Sequence, residues 1–240
     1  MRLSIILTSY DRPLESLRML ETLKTSIPED SEVIILNDNE IEDTQFKSSC
    51  EEYSFVKYIH TGIQKRGKKM CRVPGYALNI GFKNSTGTSL IIGNSEILVS
   101  RTDLVEKILS EVEKGHQCSP PVWCKSSNQW LICKYPFFLG VPRKAFEYIK
   151  GYDEDFIGYC FDDDDISHRL TTQVPFVQLE DEWKIYHVID SKKRVGQDSF
   201  INKKMWDYNK SLFESRKDQP IRNLNKDWGV LEKEYERVFV

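Results

Sequence analysis

Three absences narrow the reading of this chain before any motif is considered. No segment approaches the roughly 20 apolar residues of a membrane-spanning helix, so no such helix is expected. No G-x-G-x-x-G follows the first apolar run, and the phosphate-binding turn of a dinucleotide-dependent dehydrogenase is therefore missing. The six cysteines (Cys50, Cys71, Cys118, Cys124, Cys133 and Cys160) include no C-x-x-C pair. They read as reduced thiols, with no zinc site and no need of a disulfide framework. An excess of one charge is lacking too: 34 Lys and Arg against 37 Asp and Glu leave a net charge of −3, which predicts no global attraction to nucleic acid or anionic membrane. The opening run Met1 to Ser9 is too short for a signal peptide and ends in polar residues. Together these features predict a cytoplasmic protein, with peripheral attachment to a membrane left open.

What the chain does contain is an alternation of short β-rich runs and helical patterns over the first 100 residues. Leu3–Leu7, Glu32–Leu36, Val56–Ile59 and Ser89–Gly93 read as strands. Helices are expected from Arg12-Pro13 to about Ser26 and over Tyr76–Asn84, with Ala77, Ile80 and Gly81 inward. Such spacing implies right-handed βαβ units and a mostly parallel sheet. Ligands of such sheets sit beyond the carboxyl ends of the strands. The residues there are Thr8, Ser9, Tyr10, Asp11 and Arg12 after the first strand, Asn37, Asp38 and Asn39 after the second, and Asn94, Ser95 and Glu96 after the fourth. Each is an ordinary turn residue alone; together they predict a shared polar site.

The second half is less regular. Trp130–Leu139 is aromatic and apolar, Pro142–Ile149 reads as a helix, and Val174–Leu179 and Trp183–Val188 read as strands, the latter carrying His187. Helix is expected beyond Ser199, and the last 25 or so residues read as an appended helix packed on the domain. Between these lies the run Asp162-Asp163-Asp164-Asp165, followed by Ile166, Arg169 and Leu170 at helical spacing. Carboxylates in a first turn suit the helix macrodipole. Four in succession raise one another's pKa, so a cation, a sugar hydroxyl or a proton in transit is expected to use them.

The order of these segments resembles the GT-A glycosyltransferases, in particular family 2-like enzymes and galactosyltransferases. Ser4–Arg12 (SIILTSYDR) resembles their opening strand and nucleotide loop, and Val33–Asn39 (VIILNDN) their second strand. Arg72–Gly81 resembles R-x-P-G-x-A-x-N-x-G. Phe138-Leu139-Gly140 with Gly151–Phe156 is similar to the acceptor-side segment, and GYCFDDDDISHRL (158–170) to the galactosyltransferase pattern GWGGEDDDLxxRL. The resemblance covers about residues 3–210. It implies one GT-A domain, with a nucleotide-sugar half at about 1–100, an acceptor half at 101–198 and a helical extension at 199–240.

The activity implied is a metal-dependent, inverting hexosyl or pentosyl transfer from a nucleotide-diphosphate sugar, UDP foremost, to an acceptor hydroxyl on a glycan. Such chemistry needs the leaving diphosphate neutralised and the acceptor deprotonated. The resemblance assigns Asp163 as base, with Asp162 its competitor. Thr8, Tyr10, Arg12, Asp38, Arg72, Asn79, Asn94 and Ser95 would bind the nucleotide sugar, and Tyr159, Asp164 and Trp130 the acceptor. Glu96 and His187 would hold Mn²⁺ or Mg²⁺, with Asp190 orienting the imidazole. The usual D-x-D is Asn94-Ser95-Glu96 here, which weakens the metal set by one carboxylate. Lys65–Arg72 places five cations in eight residues, and Lys192, Lys193, Arg194, Lys203 and Lys204 add more. They fit a diphosphate clamp or a nucleic-acid acceptor such as hydroxylated bases of viral DNA. A non-catalytic nucleotide-sugar or glycan-binding domain is the further alternative.

Overall fold

The computed structural model describes residues 2–64, 74–126, 129–133, 137–158, 160–188 and 199–231. The chain runs β1 (Leu3–Ser9), α1 (Pro13–Lys24), β2 (Ser31–Asn39), α2 (Thr44–Glu51), β3 (Val56–Gln64), α3 (Pro74–Lys83), β4 (Ser89–Asn94), β5 (Ile97–Val99) and α4 (Leu104–Glu113). It continues through β6 (Gln117–Ser119), β7 (Val122–Ser126), β8 (Gln129–Cys133), β9 (Phe138–Pro142), α5 (Arg143–Tyr148) and α6 (Asp162–Thr171). Then come β10 (Phe176–Gln178), a 3-10 turn (Asp181–Trp183), β11 (Ile185–His187) and α7 (Ser199–Arg216).

β1 and β4 are buried along nearly their whole length, as strands covered on both faces must be. They form the centre of a seven-stranded sheet of order β10-β6-β9-β4-β1-β2-β3. All its pairings are parallel except those of β9 with β4 and β6. Alternation along β1 divides the core: Leu3, Ile5 and Leu7 join Leu20 and Leu23 of α1 and Ile108 and Leu109 of α4. Ile6 faces the other way, with Ala77 and Ile80 of α3, Phe146 of α5 and Ile166 and Leu170 of α6. A second sheet, β5-β11-β7-β8, lies beyond the end of β4. β11 pairs antiparallel with β5, bringing His187 opposite Ile97.

The expected strands and helices of the first 100 residues are present; α2, β5 and α4 are additions. Two expectations need correction. The thiols are not all free, because Cys124 and Cys133 form a disulfide. They lie on adjacent strands of the β7–β8 hairpin, nine residues apart, a pairing that a search for C-x-x-C spacing misses. Cys50, Cys118 and Cys160 are free, and Cys71 lies outside the described residues. Nor is the described stretch after Arg216 helical: residues 217–231 run as turns and irregular chain. It is nonetheless packed on the domain, with the Trp228 ring stacked 5.4 Å from Phe82. Among the described residues no helix is long and apolar enough to cross a membrane.

Candidate active site

Two polar centres emerge, a rim at the strand ends and a carboxylate shelf at the start of α6. The rim follows from the parallel register, which places Thr8 beside Asn94 and Ser9 beside Asn37. Thr8 Oγ1 donates to Asn94 Oδ1 at 3.1 Å. Tyr10, half exposed, lines with Asp11, Asn39, Glu40 and Ile41 a cleft of about 240 Å³ at the ends of β1 and β2. Asp38 sits at a bulge in the β2–β3 pairing. Its buried carboxylate accepts from Thr61 Oγ1 at 2.6 Å, and burial, opposed by that bond, pushes its pKa up to about 7. Thr61 lay outside the sequence reading, because a β3 side chain becomes part of this rim only through the pairing.

At the end of β4 the chain turns directly into β5, and the Val188 amide donates to the Glu96 carbonyl at 3.1 Å. That register sets His187 Nε2 3.2 Å from Glu96 Oε2. The imidazole is buried and lies against Phe137, ring centres 4.6 Å apart. Arg12 adds a cation, its Nε 4.0 Å from Glu96 Oε1; at that length the contact is an ion pair, and among the described residues this buried Nε makes no hydrogen bond. A guanidinium beside a carboxylate–imidazole pair at the strand ends suits an anionic ligand such as a diphosphate. Hard divalent cations of the Mg²⁺ type take ligands at about 2.0–2.1 Å in octahedral array, so adjacent donors stand roughly 3 Å apart. The Glu96–His187 separation matches that spacing. In this structure the two share a hydrogen bond; with that bond exchanged for coordination they fit a cation whose other ligands are solvent or phosphate, although among the described residues no group of three or more His, Cys, Asp or Glu is placed to hold a metal ion.

The shelf is built differently. Gly158, Cys160 and Phe161 all have left-handed backbone, with φ of 64°, 75° and 70°, and the last two turn the chain into α6. Helical geometry then separates the four carboxylates. Asp162 is buried, Asp163 partly exposed, Asp164 exposed and Asp165 buried. Burial pushes the Asp162 carboxyl up to about 6, against hydrogen bonds from its own amide and that of Asp163. Asp165 is structural: Arg169 Nε and Arg222 Nη2 each reach it at 2.7 Å. Burial, and then Asp163 and Asp162, push the Tyr152 phenol up. A Cβ added at Gly75 would lie 2.4 Å from that ring, so the start of α3 packs here only as glycine.

Two of the residues assigned to the nucleotide sugar are buried in contacts with other parts of the chain. Ser95 is wholly buried, bonded to the Thr8 carbonyl at 2.9 Å and to Ser16 Oγ at 2.7 Å. It fastens β4 to α1 and presents nothing to a nucleotide. Asn79 is also wholly buried. Its amide donates to the Tyr152 carbonyl and to Glu154 Oε1, both at 2.9 Å, and accepts from the Tyr152 amide at 2.8 Å. It holds the segment before the shelf. Trp130, expected at the acceptor, is 41% exposed on β8 and packs edge-on against Tyr186 at 5.0 Å. Asp164 and the other shelf carboxylates are where the sequence put them, at the helix start. Arg72, Tyr159, Asp190 and Lys192–Arg194 lie outside the described residues, as do Lys65–Lys69.

The sequence reading missed the residues that secure the shelf. Asn223 Nδ2 donates to the carbonyls of Lys150 and Tyr152 at 2.9 and 2.8 Å. Asn209 binds the backbone of Ile157 and Cys160. Neither has a sequence signal, since an asparagine far along the chain looks like any surface or turn residue.

No protein-family model matches the sequence, and no curated protein matches it. Solved structures do match in fold. The mannosyltransferase PcManGT from Pyrobaculum calidifontis, described in complex with GDP-Man and Mn²⁺, superposes with a TM-score of 0.60 at 13% identity. The match covers 80% of this chain and 58% of that one. TarS of S. aureus matches with a TM-score of 0.62 at 12% identity over 92% of this chain, which spans only 42% of TarS. A shorter TarS, residues 1–349, in complex with UDP matches with a TM-score of 0.62 at 11% identity, covering 91% and 74%. These likenesses show the fold: a GT-A-type α/β architecture around a mostly parallel central sheet.

Proposed function

We propose that this chain is a nucleotide-sugar-dependent glycosyltransferase that moves a sugar, with inversion, from a nucleoside diphosphate to an acceptor hydroxyl. The observation that carries the reading is the Glu96–His187 pair with the Arg12 guanidinium beside it, at the strand-end rim where this class of sheet binds its ligands. The cleft at Tyr10, Asp11 and Asn39 would take the nucleoside, with Asp38 beneath it. Arg12 would neutralise part of the diphosphate charge. Glu96 and His187 would hold a divalent cation, which when bound supplies Lewis-acid stabilisation of the departing phosphate. UDP is the first donor to test; the neighbours described with UDP and with GDP-Man make guanosine the second.

At the shelf, a carboxylate takes the proton of the acceptor hydroxyl as its oxygen bonds to the anomeric carbon. The bond from that carbon to the phosphate oxygen breaks, and the nucleoside diphosphate leaves with the electron pair. Asp163 is our choice of base, being exposed enough for an acceptor to reach. Asp162 competes, because a carboxyl titrating near pH 6 is better poised for proton transfer than an ordinary one.

The deciding measurement is a thermal-shift series with UDP-, GDP-, CMP- and dTDP-sugars, with and without Mn²⁺, since ligand binding to the native state raises apparent stability by mass action. One nucleotide class should stabilise the protein in a metal-dependent way. Glu96→Ala and His187→Ala should each lose that dependence. A shift with nucleotide sugar but no transfer to any acceptor would favour the binding-domain reading, for which Asn94 in place of an acidic residue is the supporting observation. No shift with any donor would overturn both.

A further inference from the structure

Helix α7 looked from the sequence like an appendage, yet one of its faces is fitted to the loop that sets up the shelf. Met205, Asn209 and Phe213 recur at intervals of four and so share a face. A Cβ added at Gly158 would meet Met205 Sδ at 2.4 Å. The Phe161 ring lies 5.8 Å from Phe213 and 5.5 Å from Trp206. Between these apolar contacts sits Asn209, wholly buried. Its Oδ1 accepts from the Ile157 amide at 3.1 Å, while Nδ2 donates to the Ile157 carbonyl at 2.7 Å and the Cys160 carbonyl at 3.0 Å. The amide thus spans the loop from end to end. Its orientation is fixed, because the reverse would set a carbonyl oxygen against two others.

The loop so held ends in Cys160 and Phe161, whose left-handed backbone costs of order 1 kcal/mol or more each for residues with a Cβ. Such conformations persist only where the surroundings over-determine them. The next residue is Asp162, and its carboxylate accepts from the first amides of α6. A change in the Phe161 dihedrals therefore swings the carboxylates directly.

We infer that Asn209 is a positioning residue: by binding the backbone of Ile157 and Cys160 it holds the chain leading into α6 in the conformation that fixes where Asp162 and Asp163 stand. The inference rests on the reading of the shelf as the site of proton transfer. It does not depend on which carboxylate is the base or on the identity of the donor.

The test compares Asn209→Asp, nearly the same shape but without the two donated bonds, and Asn209→Leu with the full-length protein. Ile108→Val, in the α4 core far along the chain, serves as a control for lost stability alone. Misplacing reacting groups by about 1 Å costs up to about 100-fold in rate. The Asn209 variants should lose 10- to 100-fold in kcat for sugar transfer with donor KM within about twofold, at temperatures where each is fully folded. Ile108→Val should keep its kcat. A kcat retained in the folded Asn209 variants, or lost equally in the control, overturns the inference. The Asp162 carboxyl titration, followed by ¹³C NMR, reads the same point without any substrate. Its midpoint should move in Asn209→Leu, which brings in no charge of its own, and stay in Ile108→Val, and an unmoved midpoint overturns the inference. Should the wild type transfer no sugar, the functional reading fails while the NMR comparison still decides the role of Asn209.

Discussion

The rim and the shelf both present carboxylates, but they are assembled from different kinds of structure. At the rim, Glu96 and His187 are delivered by the backbone register of β5 with β11, and Arg12 by the start of α1. Few side chains are needed to hold them, because the parallel strands behind are buried and hydrogen-bonded throughout. At the shelf, Asp162 and Asp163 open α6 directly after a loop with three left-handed residues, which Asn209 of α7 holds, while Asn79 of α3 and Asn223 of the C-terminal segment hold the backbone of residues 150–154 before it. Beneath them Arg222 joins Asp165 and Asp153. A site made by a sheet edge tolerates change at a distance. A site made by bolted loops does not, and distant substitutions should damage proton transfer before they damage donor binding.

The largest expected effect separates the two centres chemically. Asp163→Asn removes a base and little volume, so transfer should fall about 10²- to 10⁴-fold, the usual contribution of general-base catalysis. Donor affinity, which belongs to the rim, should change little in a calorimetric titration. Retained turnover in Asp163→Asn with loss in Asp162→Asn would reassign the base.

Next in size is Arg222→Ala. Its guanidinium is buried between Asp165 Oδ1 at 2.7 Å and Asp153 Oδ2 at 3.1 Å. Removing one partner from a buried ionic cluster strands charge in a poor solvent and costs about 3–5 kcal/mol. Arg169 and Arg216 still face the two carboxylates, which points to the lower end. Urea denaturation should show this loss. A stability within 1 kcal/mol of wild type would mean the cluster is not what secures the shelf.

Asp162→Asn should move stability in the opposite direction. The Asp162 carboxyl is raised from the ordinary 3.8 to about 6 by burial, so the folded protein holds that proton more tightly than the unfolded chain. This contribution to stability is fully present below about pH 4 and is lost as pH rises through about 6. Asparagine does not ionise, so the variant should gain on wild type by roughly 2–3 kcal/mol above pH 7 and by little near pH 4. Paired denaturation curves at the two pH values test the sign. Equal differences at both would show that Asp162 ionises in the fold at no cost.

The same contrast explains what could be read from the sequence. β1, β2 and β4 announce themselves as apolar runs, and their ends mark the rim because parallel topology leaves few alternatives. Glu96 and His187, 91 residues apart, were paired through the resemblance to GT-A enzymes; their 3.2 Å approach comes from the β5–β11 register. The acidic start of α6 was legible as a helix terminus. Which of its carboxylates face inward was not, since that depends on how α6 rolls against Ile166 and Leu170 in the core. Asn79 shows the limit most clearly. Its place in the R-x-P-G-x-A-x-N-x-G pattern suggested the nucleotide, whereas burial and bonds to Tyr152 and Glu154 give it a structural task. Cys124 and Cys133 went unpaired in the sequence reading because the β7–β8 hairpin that joins them was not read from its residues.

The smallest effect tests how the shelf tolerates its own strain. Cys160 and Phe161 stand where the galactosyltransferase-like pattern has Gly-Gly, and both adopt the left-handed backbone that glycine takes without penalty. Phe161 has compensation, its ring lying against Trp206 and Phe213; aromatic pairs contribute about 0.5–1.5 kcal/mol beyond the area they bury. Cys160 is a half-buried free thiol without such contacts to lose. Cys160→Gly should therefore stabilise the protein by about 1 kcal/mol, a rise in Tm of roughly 2–4 °C for a domain of this size. Phe161→Gly should gain the same relief and lose more in packing, with a net fall in Tm. If both substitutions stabilise, the aromatic contacts of α7 contribute less than the strain they accompany, and the helix holds the loop through Asn209 and Met205. If neither does, the left-handed turn is relaxed in the native state, and the difference between rim and shelf lies in the ionic cluster.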